Sequence, residues 1–143
     1  MNSEMTRGHC LCGKVTVCLE GKPAKIDACH CDSCRRWGSG PFFTLGSTRE
    51  VTIEGGDAVA VYDSSEWASR AFCSNCGSHL YYFLKPTGQY MLSPGLFDKL
   101  DGLNLELQVF IDEKPAYYSF SEDSRKLTGA EVLEMFARLQ QAP

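Results

Sequence analysis

The sequence predicts a small, mainly β domain with one helix near its C-terminus. Three observations lead there: short stretches in which apolar and polar residues alternate, glycine- and proline-marked turns between them, and one helix-start signature followed by an apolar period near 3.6. A chain of 143 residues with 43% hydrophobic composition supplies one core of ordinary size, so a single domain over 1–143 is expected.

The first strand is read in "KVTVCLEG", where Val15, Val17 and Leu19 share one face and Lys14, Thr16, Cys18 and Glu20 the other. "REVTIEGG" ends in Gly55-Gly56, and "AVAVYDSS" reads as the returning strand of a hairpin. "SHLYYFLK" and "QYMLS" are further strands. In "LNLELQVFID", Leu103, Leu105, Leu107, Val109 and Ile111 alternate with Asn104, Glu106, Gln108 and Asp112, which are expected to point away from the core. The stretch "TGAE", Thr128 to Glu131, has the form of a capping box. Val132, Met135, Phe136 and Leu139 then recur at helical spacing, predicting a helix over about 129–140 with one face on the sheet.

A formal charge of −4, from 14 Lys and Arg against 18 Asp and Glu, provides no broad attraction to a phosphate backbone or an anionic membrane surface. Nucleic acid and membrane are therefore not expected as partners. "MNSEMTRGHCLCGK" lacks the apolar stretch of a secretory signal, and no apolar run of about 18 residues occurs, which leads to the expectation of a soluble, cytoplasmic protein.

The eight cysteines carry the chemistry. Cys10 and Cys12, like Cys29 and Cys31, are separated by a single residue, which suits thiolates converging on a metal better than a disulfide framework. Two pairs, Cys10 with Cys12 in "CLCG" and Cys73 with Cys76 in "FCSNCGS", together supply the four thiolates of a closed structural zinc site. Gly13 and Gly77 follow the second cysteine of each pair, where a tight knuckle needs positive φ.

The remaining group is Cys29, Cys31 and Cys34 in "CHCDSC". Three protein ligands with a fourth, exchangeable position is the arrangement of catalytic zinc, whereas a fourth protein ligand makes a second structural site. Both readings stand at this level, with Cys18, His30 and His79 as the residues able to close the site. His30 lies between two ligands, so its side chain is expected to point away from their metal. An open site of three thiolates would carry a formal charge of about −1, which acidifies a bound water less than three neutral histidines do and favours holding a soft exogenous thiol as its thiolate. Arg35 and Arg36 then offer guanidinium groups to a substrate carboxylate, with an ordinary solvated pair as the alternative. "WGSG", Trp37 to Gly40, can bring backbone N–H groups toward a ligand.

"GHCLCGKV", "CHCDSCRRWGSG" and "SRAFCSNCGSHL", in this order, resemble the glutathione-dependent formaldehyde-activating family, also called the centromere-protein-V-like domain, of the Mss4-like fold; "YDSS", "SPGLFD" and "IDEKPAYYSF" extend the likeness over about 7–120. The resemblance implies a β-rich fold with two zinc ions. It implies structural ligands at Cys10, Cys12, Cys73 and Cys76, and Cys29, Cys31 and Cys34 at the site where glutathione would bind, with Arg35, Arg36, Gly38 and Ser39 beside it. The chain departs from the pattern at His79, where many relatives have proline, and near Gln108, where many have histidine.

The leading expectation is a zinc-dependent carbon–sulfur lyase that forms or cleaves an S-hydroxymethyl thiol, with Tyr62, His79 or solvent moving the proton. A non-catalytic zinc module that binds a partner protein or acts as a scaffold is the alternative from another class. A thiol–disulfide oxidoreductase using Cys31 and Cys34 is a third, disfavoured because zinc would occupy the thiolates that exchange needs.

Overall fold

The structure, a computed structural model, describes residues 5–23 and 25–141. In chain order its elements are β1 (Met5–His9), β2 (Thr16–Glu20), β3 (Ile26–Cys29), α1 (Asp32–Gly38), β4 (Phe42–Thr44), β5 (Ser47–Thr48), β6 (Val51–Glu54), β7 (Val59–Asp63), β8 (Ala68–Cys73), β9 (His79–Leu84), β10 (Gln89–Leu92), β11 (Leu105–Val109), β12 (Arg125–Leu127) and α2 (Gly129–Gln141). The strands form three sheets, so the protein is mainly β as its alternating segments predict. No helix among the described residues is long and apolar enough to cross a membrane. The chain divides into two compact units, one of Met1–Ala24 with Thr44–Leu103 and the other of Lys25–Phe43 with Asn104–Pro143.

The first unit holds two antiparallel sheets, ordered β1-β2-β6 and β5-β10-β9-β8-β7. Val15, Val17 and Leu19 are buried as their alternation requires. The opposite face of β2 is not open to water, because Cys18 is buried too. It pairs with Arg7 on one side and Thr52 on the other. Its thiol points at Glu54 Oε2, 3.5 Å away, and Arg7 donates to the same carboxylate oxygen at 2.8 Å. The β8 and β9 strands form the interior of the larger sheet, where Ala68, Ala71, Cys73, Leu80, Tyr81 and Leu84 are buried.

The hairpin expected around Gly55-Gly56 does not form: β6 pairs with β2, and β7 pairs with β8 in the other sheet. The glycines do turn the chain, but out of one sheet and into the next. Gly55 takes φ +80°, and a single 3₁₀ turn, Gly56–Ala58, follows. Gly55 also lies so close to the backbone of Lys14 that a Cβ would sit 2.0 Å from the Lys14 carbonyl oxygen. Turn residues identify a reversal; which strands become partners is decided by the apolar faces available to cover them.

The second unit is built on a sheet ordered β12-β11-β3-β4, in which β11 runs parallel to both β3 and β12. Parallel neighbours need long connections, and β3 is separated from β11 by most of the first unit's sequence. Only Leu105–Val109 of "LNLELQVFID" is strand, and its register against β3 shifts between Leu105 and Leu107. Contrary to the expected facing, Gln108 is the buried member of this strand, at 2% exposure. A period of two says which residues share a face and not which face is inward, and here a buried polar partner receives the amide.

The C-terminal helix begins as predicted. Thr128 N–H donates to Glu131 Oε1 at 2.9 Å and Glu131 N–H donates to Thr128 Oγ1 at 3.2 Å, which satisfies two otherwise orphaned donors. Val132 is buried and Met135 and Phe136 are half-buried; the side chain of Leu139 lies outside the described residues. The short α1 was not anticipated, because seven residues are too few to display a helical period.

Gly55→Ala is expected to lower unfolding stability by at least about 1 kcal/mol, since the new methyl group meets both a positive φ and the Lys14 carbonyl. Urea denaturation followed by far-UV circular dichroism measures it, and a midpoint equal to that of the parent chain would contradict the close packing of the turn.

Candidate metal centres

Cys10, Cys12, Cys73 and Cys76 come together in the first unit with all four sulfurs within 4.8 Å of one another. Two matching knuckles bring them there. In one, Cys10 N–H donates to the Val15 carbonyl at 3.0 Å and Gly13 N–H to the Cys10 carbonyl at 3.0 Å; in the other, Cys73 N–H donates to the Ser78 carbonyl at 2.9 Å and Gly77 N–H to the Cys73 carbonyl at 2.7 Å. Gly13 and Gly77 take φ of +83° and +80°, as the sequence predicts for both.

The sulfurs fit a tetrahedral ion. A zinc–sulfur bond of about 2.3 Å implies tetrahedron edges of about 3.8 Å. Cys10 Sγ lies 3.6 Å from Cys12 Sγ, which lies 3.8 Å from Cys73 Sγ. Protein groups favour the thiolate form of two of the four: the hydroxyl and then the backbone of Ser78 hold the Cys76 thiol down at about 5, and the Asn75 side chain, followed by the backbone of Lys14, lowers that of Cys12, whereas burial raises that of Cys73. Ser78 joins the knuckles, because its Oγ also accepts from Leu11 N–H at 3.0 Å and stands 3.2 Å from Cys76 Sγ.

In the second unit Cys29, Cys31 and Cys34 form a group of three whose sulfurs likewise lie within 4.8 Å of one another. Cys29 ends β3, and Cys31 is the N-cap of α1, its sulfur accepting from Cys34 N–H at 3.3 Å. The cap thus fixes the turn that places two of the three ligands. Hydrogen bonding with Cys31, then with Cys34, and burial push the Cys29 thiol far above the ordinary cysteine range. Three crowded sulfurs cannot all ionise without a counter-charge; a bound dication supplies one, so this donor set fits zinc in the same sense as the first.

None of the three candidates for a closing ligand joins the triplet. Cys18 belongs to neither sulfur group among the described residues and meets Glu54. His79 is half-buried in β9 of the first unit. His30 is fully buried, and both of its ring nitrogens are engaged, Nδ1 with Tyr118 Oη at 2.6 Å and Nε2 with Gln108 Oε1 at 2.8 Å. Neither ring nitrogen is a member of the sulfur group. Gln108 in turn donates from Nε2 to Ser124 Oγ at 2.7 Å. Burial lowers the pKa of His30, despite the opposing bond to Gln108. This four-residue chain was not foreseen; a histidine enclosed by two ligands and the aromatic run "AYYSF" were its only traces in the sequence.

Arg35 and Arg36 both face Asp32. Arg35 donates from Nε to the His30 carbonyl at 3.0 Å, with its Nη2 3.9 Å from Asp32 Oδ1. Arg36 donates from Nε to Asp32 Oδ2 at 2.9 Å and is largely exposed. Gly38 ends α1, and Ser39 caps it at φ +66° with its N–H donating to the Arg35 carbonyl at 2.7 Å, so that N–H terminates the helix. Tyr62 is exposed on β7 of the first unit.

Ser78→Ala should raise the pKa of Cys76 from about 5 and weaken metal binding at the four-cysteine group about 10-fold or more, as measured by competition with a chromogenic chelator. Protons compete with metal for the thiolate, so the loss should grow as pH falls toward 5. Equal affinity for parent and variant across pH 5 to 8 would refute the role of this hydroxyl.

Residues 5–113 match the family described as glutathione-dependent formaldehyde-activating enzyme. Over 132 residues the chain is 32% identical to an uncharacterized lyase of Schizosaccharomyces pombe (strain 972 / ATCC 24843), a match that covers 92% of this chain and 96% of that protein. A crystal structure of a Rhodobacter sphaeroides protein is similar in fold, with a TM-score of 0.56 at 21% identity over 69% of this chain and 98% of that one. On the extent of the first match and the identity of the second, this chain belongs to the glutathione-dependent formaldehyde-activating enzyme family.

Proposed function

We propose that the protein is a zinc-dependent carbon–sulfur lyase acting on glutathione or a related thiol adduct. The observation that supports this most directly is the difference between its two sulfur groups, one of four members and one of three. Cys10, Cys12, Cys73 and Cys76 would hold a structural ion that staples the first unit. Cys29, Cys31 and Cys34 would hold a second ion with a coordination position left for substrate. When bound, that zinc supplies an electron-pair acceptor that keeps an incoming thiol ionised and nucleophilic.

The reaction joins the thiol sulfur to the carbon of formaldehyde or another small aldehyde, and the proton lost by the thiol ends on the new hydroxyl; the reverse cleaves the same C–S bond. The cysteines serve as ligands and do not attack. His30, anchored at both nitrogens, keeps its ring out of the ligand position while its backbone spaces Cys29 from Cys31. Arg35 braces that spacing through the His30 carbonyl. Arg36 is the group best placed for a substrate carboxylate, which would take over from Asp32 at the exposed guanidinium. Gly38 and Ser39 complete the turn after α1 and shape the wall beside the two arginines. Family membership, the lyase relative and the net charge of −4 all favour a small thiol as the partner over nucleic acid or an anionic membrane.

The purified chain is expected to carry two zinc equivalents by elemental analysis. Cys31→Ser should lose one equivalent together with glutathione binding, whereas Cys18→Ser should keep both. Equal glutathione affinity in zinc-loaded and zinc-free protein, read by calorimetry, would sink the proposal.

Arg36→Ala is expected to weaken glutathione about two- to fivefold, an effect that shrinks at high salt because the guanidinium is exposed. Asp32→Asn should leave binding equal or tighter. Unchanged affinity in Arg36→Ala would retire the carboxylate contact.

A further inference from the structure

Cys31 is held through both of its neighbours. Residues 109–113 run alongside the cysteine loop in the same unit and take up the backbone N–H on either side of it: His30 N–H donates to the Val109 carbonyl at 3.1 Å, and Asp32 N–H donates to Glu113 Oε1 at 2.9 Å. The first bond continues the parallel pairing of Val109 with Cys29. The second differs in kind, because a side chain 81 positions away supplies the acceptor. Asp32 is the first residue of α1, whose leading N–H groups have no carbonyl within the helix to meet. Cys31 Sγ takes the one on Cys34, and Glu113 takes the one on Asp32. Cys31 therefore has its backbone fixed on both sides and its sulfur fixed by the Cys34 N–H.

A turn of uncommon geometry aims Glu113. Phe110 takes φ +55° and ψ +44°, a left-handed conformation that a bulky residue keeps only where its surroundings hold it. Its ring lies against Gly129, where a Cβ would stand 2.8 Å from Phe110 Cδ1. The 3₁₀ turn Ile111–Glu113 follows at once, and its consecutive carboxylates diverge to two helices. Asp112 Oδ1 accepts from Gly129 N–H at 2.8 Å, at the start of α2, while Glu113 accepts at the start of α1.

We infer that Glu113 is a positioning residue of the three-cysteine centre: by holding Asp32 N–H it sets the turn from Cys31 into α1, and with it the spacing of the Cys31 and Cys34 sulfurs that an ion must span. This role rests on the triplet being the metal site proposed above, and it adds the group, distant in sequence, that shapes that site. The role needs an acceptor oxygen in the right place and no negative charge, so a carboxamide of the same length fills it equally well.

Zinc binding to the full-length chain, read by competition with a chromogenic chelator, tests this. The parent should hold two ions, and the ion missing from Cys31→Ser identifies the triplet's. Glu113→Ala should weaken that ion about three- to tenfold. It should leave the affinity of the four-cysteine group unchanged, which also verifies that the variant is folded. Glu113→Gln should restore the triplet to within about twofold of the parent, since its oxygen still accepts. Asp112→Ala removes the other carboxylate of the same turn, and should lower the thermal unfolding midpoint while the triplet's affinity stays within about twofold of the parent. An unchanged triplet in Glu113→Ala, an equal loss at both cysteine groups, the same loss in Asp112→Ala, or no rescue by glutamine each overturns the positioning role and leaves the metal site standing. A parent chain that holds one ion, retained in Cys31→Ser, overturns both.

Discussion

Sulfur atoms crowded within one small volume impose the central constraint on this protein. Seven of its eight cysteines are drawn into two groups, and in each the sulfurs stand closer than thiolates tolerate without a cation. Local structure is arranged around that fact. Twin knuckles, each closed by a glycine at positive φ, aim four sulfurs inward in the first unit. A helix N-cap aims two of three in the second, with a strand end supplying the other. A bound ion at the four-cysteine group would tie together two segments about 60 residues apart in sequence, whereas one at the triplet would hold the turn between β3 and α1.

The two groups differ in how their surroundings treat charge. Around the four cysteines, Ser78 and Asn75 favour the thiolate form of Cys76 and Cys12, while burial raises the pKa of Cys73. Around the three, burial and mutual contact oppose ionisation of Cys29, so the group depends on its ion more strongly. Arg35 and Arg36 stand close by in sequence and place positive charge beside what would be a net negative centre, while Asp32 keeps that charge from being left unbalanced. Under the proposed function this site would take an anionic, soft ligand that enters and leaves.

His30 is where the folding and chemical arguments meet. Its sequence position, between two ligands, makes it look like a metal ligand or a bystander. Its actual role is structural and polar: it joins the cysteine loop to Gln108 on β11 and to Tyr118 in the segment that follows that strand. With both ring nitrogens in hydrogen-bond contact, the fully buried imidazole incurs no unsatisfied group, and it orders the loop of the triplet from within.

The alternating segments, the capping box and the cysteine spacing were enough to determine a mainly β chain, a C-terminal helix and the division of seven cysteines into four and three, because each of these is set by residues near one another in sequence. Tertiary structure alone decided the rest. The strands flanking Gly55-Gly56 went to different sheets, since a turn does not choose its strands' partners. Gln108 turned inward because a histidine 78 positions away needed its oxygen, and Cys18 was covered by an arginine–glutamate pair from neighbouring strands. Periodicity records which residues share a face, but only the assembled sheet determines what that face meets, and it is those meetings that separate an anchored histidine from a ligand.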